Sequence, residues 1–182
     1  MGNPGERYEG TRHNVGFRAV DRFLELEKSG AAWKPWRAGL VAQTAGGLWL
    51  VKPQTFMNAS GDFVQGFAAF YKIGPGDALV VSDDMDLPLG RIRIRKTGSS
   101  GGQRGLESVL ERLGTKDVPR VRLGIGPRPE RVDGADFVLG RFRPEERAAV
   151  DDMVERAAAA LASACREGVD AAMNAYNASS AA

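Results

Sequence analysis

The sequence is poor in the two residues that most often build disulfides, metal centres and acid–base sites, with one cysteine and one histidine among 182 residues. A single cysteine, Cys165, excludes an internal disulfide framework and fits a reducing cytoplasm, and its Ala-rich surroundings predict inert packing in a helix. No apolar run is long enough to cross a bilayer, and no signal-peptide pattern opens the chain. With 43% hydrophobic and 26% charged residues, the composition excludes a disordered chain and predicts one globular domain.

Signatures of several enzyme classes are also missing. No Gly-x-Ser-x-Gly elbow is present, so an activated water is a more economical nucleophile than a covalent one. The glycine-rich segment 98–105 leads into a predicted helix, but it lacks the P-loop Lys-Ser/Thr pair and the dinucleotide fingerprint. Asp83, Asp84 and Asp86 could hold Mg²⁺, but with one histidine and no second carboxylate cluster we expect no metal.

The one histidine, His13, therefore draws attention, because imidazole is the side chain that changes charge near neutral pH. It follows a polar stretch that contains Asn3, Tyr8 and Arg12, and it precedes an amphipathic helix for which Asn14 is the expected N-cap. A lone histidine is more often a surface or capping residue than a catalyst. The polar neighbours favour the functional interpretation, since loops on a rigid scaffold commonly carry binding groups.

The order of predicted elements indicates an α/β domain with a mixed sheet. Helical spacing of apolar residues predicts helices at 15–28, 63–71, 106–113 and 144–166, with a short one at 173–176. Two runs, 39–44 and 48–51, predict a β-hairpin that makes the sheet mixed. Strands are predicted at 78–81, 91–95 and 121–125, with a short extended piece at 136–139. The last residues, 178–182, are predicted to be a frayed tail.

The middle of the chain is basic although the net charge is only +2. Its cations are Arg91, Arg93, Arg95, Lys96, Arg104, Arg112, Lys116, Arg120, Arg122, Arg128 and Arg131, against the acids Glu107, Glu111, Asp117 and Glu130. Such a distribution favours a polyanionic partner, and it is equally compatible with a solvated strand face.

Seven motifs, taken in order and spacing, resemble the bacterial peptidyl-tRNA hydrolases over almost the whole length. They are Gly2-Asn3-Pro4-Gly5 with Tyr8, Thr11-Arg12-His13-Asn14 with Gly16, Lys52-Pro53-x-Thr55-Phe56-Met57-Asn58-x-Ser60-Gly61, Asp83-x-x-Asp86-Leu87-Pro88, Gly101-Gly102-x-x-Gly105-Leu106, Arg122-Leu123-Gly124-Ile125-Gly126 and Phe137-Val138-Leu139-Gly140. Seven colinear motifs are far more specific than any one of them.

The resemblance implies a monomeric three-layer α/β/α domain, here residues 1–177, that hydrolyses the ester between a peptide and the 3′-terminal ribose of tRNA, recycling tRNA from aborted translation. His13 matches the general base of the family, and Asp83 matches the carboxylate that orients it. The cleft residues carried over are Asn3, Tyr8, Met57 and Asn58. Water cleaves an ester without a cofactor, so neither cofactor nor metal is expected, and the expected partner is the acceptor stem and 3′ end of peptidyl-tRNA.

The sequence departs from the family pattern at two places. In the glycine-rich loop, Gln103 and Arg104 stand where the family commonly has His-Asn. Gln103 can still donate and accept hydrogen bonds, and Arg104 could reach a tRNA phosphate, so both are predicted to bind substrate.

The family also has an apolar strand before its Gly-Asn-Pro-Gly motif, and here Met1 stands where that strand should end. We therefore expect an unfilled slot or an exposed ladder edge beside residues 79–81, with bared apolar side chains. We attribute this to a natural chain that starts upstream, and we expect a lower stability than that of the longer chain.

Two other functions remain open at this stage. An RNA-binding module on the same fold needs no catalysis, but it need not keep His13, Asp83, Asn3 and Asn58 together, as this sequence does. A hydrolase of small esters is the other alternative, and the basic middle of the chain argues against it.

Overall fold

The computed structural model describes residues 1–28 and 30–178. Within these ranges lie six strands, β1 Lys34–Trp36, β2 Gly39–Gln43, β3 Trp49–Pro53, β4 Val80–Pro88, β5 Ile92–Arg95 and β6 Arg120–Gly126. The α-helices are α1 Val15–Leu26, α2 Ser60–Tyr71, α3 Arg104–Leu113, α4 Gly134–Leu139, α5 Arg147–Glu167 and α6 Val169–Ala178. Short 3₁₀ turns, Arg12–Asn14, Met57–Ala59 and Pro144–Glu146, lead into α1, α2 and α5.

The central sheet has the order β4-β6-β5, with β4 parallel and β5 antiparallel to β6. The predicted hairpin forms, but it belongs to a separate antiparallel sheet, β1-β2-β3. The mixed character therefore comes from β5 and not from the hairpin. β5 can run antiparallel because residues 88–91 fold back tightly, with the Arg91 amide donating to the Pro88 carbonyl at 3.0 Å.

Helices cover both faces of the central sheet, which gives the predicted α/β domain its layers. Successive side chains of a strand point to opposite faces, and on β4 Val81 packs into the core under α1 and α5 whereas Val80 packs with α3 residues. The first core includes Val15, Phe23 and Met153, all almost completely buried. The apolar run at the start of β4 is thus explained by burial on both faces.

Close packing between α2 and α3 fixes the turn that opens α2. The Gly61 amide donates to the Ser108 hydroxyl at 3.0 Å, and a Cβ at Gly61 would meet the backbone of Ser108. On the other side of α2, Phe63 and Phe67 pack edge-on against Trp36 of the hairpin sheet. The Met57–Ala59 turn is therefore held beside the N-terminal end of α3.

In the described part of the chain β4 pairs only with β6, so no second strand lies along its outer edge. The amino group of Met1 donates to the Val81 carbonyl at 2.6 Å. The expectation of bared apolar side chains at this edge is wrong, because Val80 and Val81 are only 7% and 4% exposed. Helix α1 packs directly on the strand: a Cβ at Gly16 would lie 2.6 Å from the Val81 carbonyl oxygen.

Three local expectations need correction. Residues 136–139 are helical and not extended, because the Asp133 carboxylate caps α4 by accepting from the amides of Ala135 and Asp136. Asn14 precedes α1 without a side-chain cap bond. Cys165 is exposed on α5 and is not packed. The predicted tail lies outside the described residues except for Ala178, where α6 ends.

Candidate active site

A cleft of about 510 Å³ lies beside the middle of β4, where Asp83, Asp84 and Met85 line it. It is bordered by the N-terminal loop, the turns before α1 and α2, the glycine-rich loop before α3, and α4. Seven of the eight residues predicted for the site line it, namely Asn3, His13, Met57, Asn58, Asp83, Gln103 and Arg104. Five separate segments of the chain thus meet at one place.

Tyr8 is the predicted residue that does not line this cleft. It ends the short 3₁₀ turn Glu6–Tyr8, and the guanidinium of Arg7 lies 4.7 Å from its ring centre. Its role at the substrate stays a prediction.

His13 and Asp83 form a hydrogen-bonded pair inside the cleft. The distance between His13 Nδ1 and Asp83 Oδ2 is 2.7 Å, and the two side chains are 11% and 2% exposed. The carboxylate lies on β4 opposite Leu123, a fully buried position of the sheet. Because a carboxylate accepts, it favours the tautomer that carries the proton on Nδ1 and leaves the Nε2 lone pair free.

Asn3 is held by a reciprocal pair of hydrogen bonds with Asn14. The Asn3 amide donates to Asn14 Oδ1 at 2.8 Å, and Asn14 Nδ2 donates back to the Asn3 carbonyl at 2.9 Å. Asn3 Oδ1 in turn accepts from the Met57 amide at 2.8 Å. Asn14 therefore serves the site by fixing a neighbouring loop, which explains why it does not cap α1.

Two side-chain amides remain available to a ligand. Asn3 uses its oxygen internally, but within the described ranges its Nδ2 has no protein partner. Asn58 is exposed at the cleft with no side-chain hydrogen bond to the described protein. Both can donate to a carbonyl or an oxyanion.

Gln103 connects the glycine-rich loop to the His13–Asp83 pair. Its Oε1 accepts from the Leu106 amide at 2.6 Å, which caps α3, and its Nε2 donates to Asp83 Oδ1 at 2.9 Å. The same nitrogen lies 3.4 Å from the sulfur of Met57. Gln103 thus both donates and accepts within the protein, and its predicted role in binding substrate stays a prediction.

The cleft also holds an ion pair that was not predicted as part of the site. Arg122 Nε lies 2.6 Å from Asp84 Oδ2, and the two side chains are 23% and 3% exposed. Gly101 makes room for this arginine, because a Cβ there would lie 2.5 Å from Arg122 Nη2. Arginine and apolar residues alternate at the start of β6, and this pattern could have pointed to Arg122. Its pairing with Asp84, however, depends on the parallel register of β4 and β6.

The basic middle of the chain is partly internal. Arg120 is only 1% exposed, and its Nη2 donates to the Lys116 carbonyl at 3.2 Å. Burial, reinforced by the positive charge of Arg122, lowers the pKa of the Arg120 guanidinium from its ordinary value. Arg104 differs from Arg120 and Arg122, since it is exposed at the first position of α3 and borders the cleft.

The geometry gives little support to a cation at the three aspartates. Asp83 is occupied by His13 and Gln103, and Asp84 by Arg122 and the Asp86 amide. Over residues 1–28 and 30–178, no cluster of three or more His, Cys, Asp and Glu side chains is arranged to hold a metal ion. In the same ranges, no helix combines the length and apolar character needed to cross a membrane.

Comparison with known proteins gives consistent results. The sequence model of the family described as Peptidyl-tRNA hydrolase matches residues 1–182. The peptidyl-tRNA hydrolase of Chloroflexus aurantiacus is 47% identical over 184 residues, covering 97% of this chain and 96% of that protein. That of Elusimicrobium minutum is 44% identical over 180 residues, with the same coverage. The crystal structure of peptidyl-tRNA hydrolase from Acinetobacter baumannii superposes with a TM-score of 0.89 at 32% identity, covering 97% of this chain and 91% of that one.

Proposed function

Because the chain belongs to the peptidyl-tRNA hydrolase family and is therefore a hydrolase acting on peptidyl-tRNA, we propose that it cleaves the ester with a water molecule activated by His13 and that Asp83 orients this base. The observation that carries the proposal is the 2.7 Å hydrogen bond between His13 Nδ1 and the buried Asp83 carboxylate. It leaves Nε2 as the free basic atom of a side chain that borders the cleft.

The reaction then needs one proton carrier and one oxyanion site. Nε2 takes a proton from water, and the resulting hydroxide attacks the carbonyl carbon of the ester. The tetrahedral oxyanion is stabilised by the free amide donors of Asn3 and Asn58. As the intermediate collapses, the bond to the ribose 3′ oxygen breaks and the imidazolium returns the proton to that oxygen. The direct products are a tRNA 3′-hydroxyl and a peptide carboxylic acid, which releases its proton to solvent, so all atoms balance without a cofactor or metal.

The substrate is placed by the remaining cleft residues. Met57 and Asn58 border the peptide side, and Tyr8 contributes from the neighbouring loop. Gln103 and Arg104 begin α3, where the exposed guanidinium can bind a phosphate near the 3′ end of the acceptor stem. We propose a monomeric enzyme that recycles tRNA from aborted translation in the cytoplasm, where that substrate is made.

The test is release of an N-acetylaminoacyl group from its tRNA by the wild type and by His13→Ala. We expect turnover with the wild type and a loss of about 10²–10⁴-fold in kcat for the variant, with tRNA affinity nearly unchanged. Binding of tRNA without release by the wild type would instead support a non-catalytic RNA-binding module. Equal rates for the two proteins would refute the role of His13.

A further inference from the structure

The orientation of the Gln103 amide is fixed by chemistry. The backbone amide of Leu106 can only donate, so the side-chain atom 2.6 Å away from it must be the Gln103 oxygen. The nitrogen then faces Asp83 Oδ1 at 2.9 Å. Its two hydrogens point to this oxygen and to the Met57 sulfur. Both donors of Gln103 are thus used inside the protein.

Asp83 has its own two oxygens divided between two partners. Oδ2 accepts from His13 and Oδ1 accepts from Gln103. The side chain is 2% exposed, so solvent cannot replace either partner. A carboxylate with one free oxygen could rotate about its last bond, whereas two fixed donors hold the plane of the group.

We propose that Gln103 is a positioning residue for the reaction: its amide, oriented by the start of α3, holds the Asp83 carboxylate in the rotamer that keeps His13 in its basic tautomer. This inference rests on the proposed function and deepens it. The amide carries no charge and does not titrate, so its own ability to donate to the carboxylate does not change with pH. Through Gln103 and Asp83, the conformation of the glycine-rich loop therefore affects the orientation of the His13 imidazole.

The informative variant is Gln103→Glu, because it separates two roles of the side chain. A glutamate keeps the oxygen that accepts from Leu106, so the cap of α3 is preserved. It replaces the donor to Asp83 with a second carboxyl group. When that group is protonated it can donate to Asp83 as the amide does, and when it is ionised it repels Asp83. Two carboxyls at this distance share a proton, which raises one of their pKa values toward neutrality.

We expect kcat of Gln103→Glu to fall by roughly 10–100-fold at about pH 8, the fold-change of one hydrogen bond to a charged group. The ratio of variant to wild-type kcat should rise toward one as the pH is lowered to about 5.5, because the new carboxyl becomes protonated. KM should stay within about twofold, since the Gln103 nitrogen already has its partners within the protein. Gln43→Glu, the same substitution at an exposed position of β2, should match the wild type at every pH.

Three outcomes would overturn the inference. Wild-type activity of Gln103→Glu at all pH values would reduce Gln103 to a helix cap. A rise in KM with unchanged kcat would make it a substrate ligand. A loss of activity that does not vary with pH would also contradict the inference, because the carboxyl introduced by Gln103→Glu should donate to Asp83 only when it is protonated.

A second readout does not depend on activity. His13 is the only histidine, so its ¹⁵N resonances report its tautomer without assignment problems. The wild type should show the Nδ1–H tautomer, and Gln103→Glu at about pH 8 should show a mixture as Asp83 is displaced. If the wild type fails to release the aminoacyl group but the tautomer shifts in this way, the proposed function fails and the positioning role stands. An unchanged tautomer would contradict the positioning role.

Discussion

Replacing Asp83 by asparagine is expected to be more damaging than the loss of one charge suggests. The Leu106 amide fixes Gln103 so that its nitrogen faces position 83. An asparagine there must therefore turn its oxygen toward Gln103 and its nitrogen toward His13. Nδ1 would then have to accept, the proton would move to Nε2, and the base would lose its free lone pair.

The size of the effect follows from two terms. Flipping the asparagine to restore the correct tautomer would set two buried N–H groups against each other, at a cost of about 1–3 kcal/mol. The stabilisation of the imidazolium by the charged carboxylate, about 1.5–3 kcal/mol, is lost in addition. Their sum corresponds to roughly 10²–10⁴-fold in kcat, at about 1.4 kcal/mol per factor of ten.

The reciprocal exchange tests the reasoning behind this number. In Asp83→Asn combined with Gln103→Glu, the new glutamate accepts from Leu106 and from the asparagine nitrogen. The asparagine oxygen then faces His13 and restores the Nδ1–H tautomer. We expect the double variant to release the N-acetylaminoacyl group roughly 10–100-fold faster than Asp83→Asn alone, which recovers the first term only.

Saturating substrate isolates kcat in this assay, and ¹⁵N spectra of His13 report the tautomer of each variant. A double variant as slow as the product of the two single effects would refute the reasoning. So would an Asp83→Asn enzyme with nearly normal activity.

Other consequences can be measured separately. Arg104→Ala should reduce the slope of log affinity for tRNA against log salt concentration by a little under about one unit. The control, Arg147→Ala at another exposed position, should leave this slope unchanged. An unchanged slope for Arg104→Ala would show that Arg104 does not contact a phosphate. Burial opposes the charge on Glu146, but the Arg143 amide and the Arg12 guanidinium outweigh it and hold the pKa of this carboxyl below its usual range. Glu146→Gln should therefore lower the free energy of unfolding in urea by about 1.5 kcal/mol at neutral pH. The deficit should vanish as the pH falls through that lowered pKa, since the wild-type contribution is present above the unfolded pKa and lost below the folded one; a constant deficit would contradict the ion pair. Gly16→Ala should destabilise by about 1–3 kcal/mol, because its Cβ would overlap the Val81 carbonyl and the Met1 backbone. Its control in an open helix position, Gly66→Ala, should stabilise by about 0.4–1 kcal/mol; equal effects would rule out the close contact.

The elements that could be predicted are those whose information is local. Helices α1, α2, α3 and α5 follow from apolar spacing, and the hairpin follows from the turn between its strands. The α4 segment was missed because its apolar residues fit a strand equally well. The Asp133 cap that decides for a helix lies outside that run.

The site could be predicted only as a set of residues. The resemblance to a family pointed to His13 and Asp83, but their 2.7 Å contact joins residues 70 positions apart. The same applies to the Arg122–Asp84 ion pair, which depends on the register of two parallel strands. Asn14 was wrongly predicted to cap α1, and the hydrogen bonds of Gln103 to Asp83 and to the Leu106 amide were not predicted at all, for a related reason. Asparagine and glutamine have both donors and acceptors, and only the folded chain shows which of them are used.

The most direct test of the proposed mechanism compares two titrations of the same protein. The acid limb of kcat/KM reports the ionisation of the essential base in the free enzyme, and the ¹⁵N shifts of the only histidine report the ionisation of His13. The mechanism predicts that the two midpoints coincide and that they move together in Asp83→Asn. An acid limb displaced from the His13 titration, or a rate that stays constant while His13 becomes protonated, would contradict the assignment of His13 as the base.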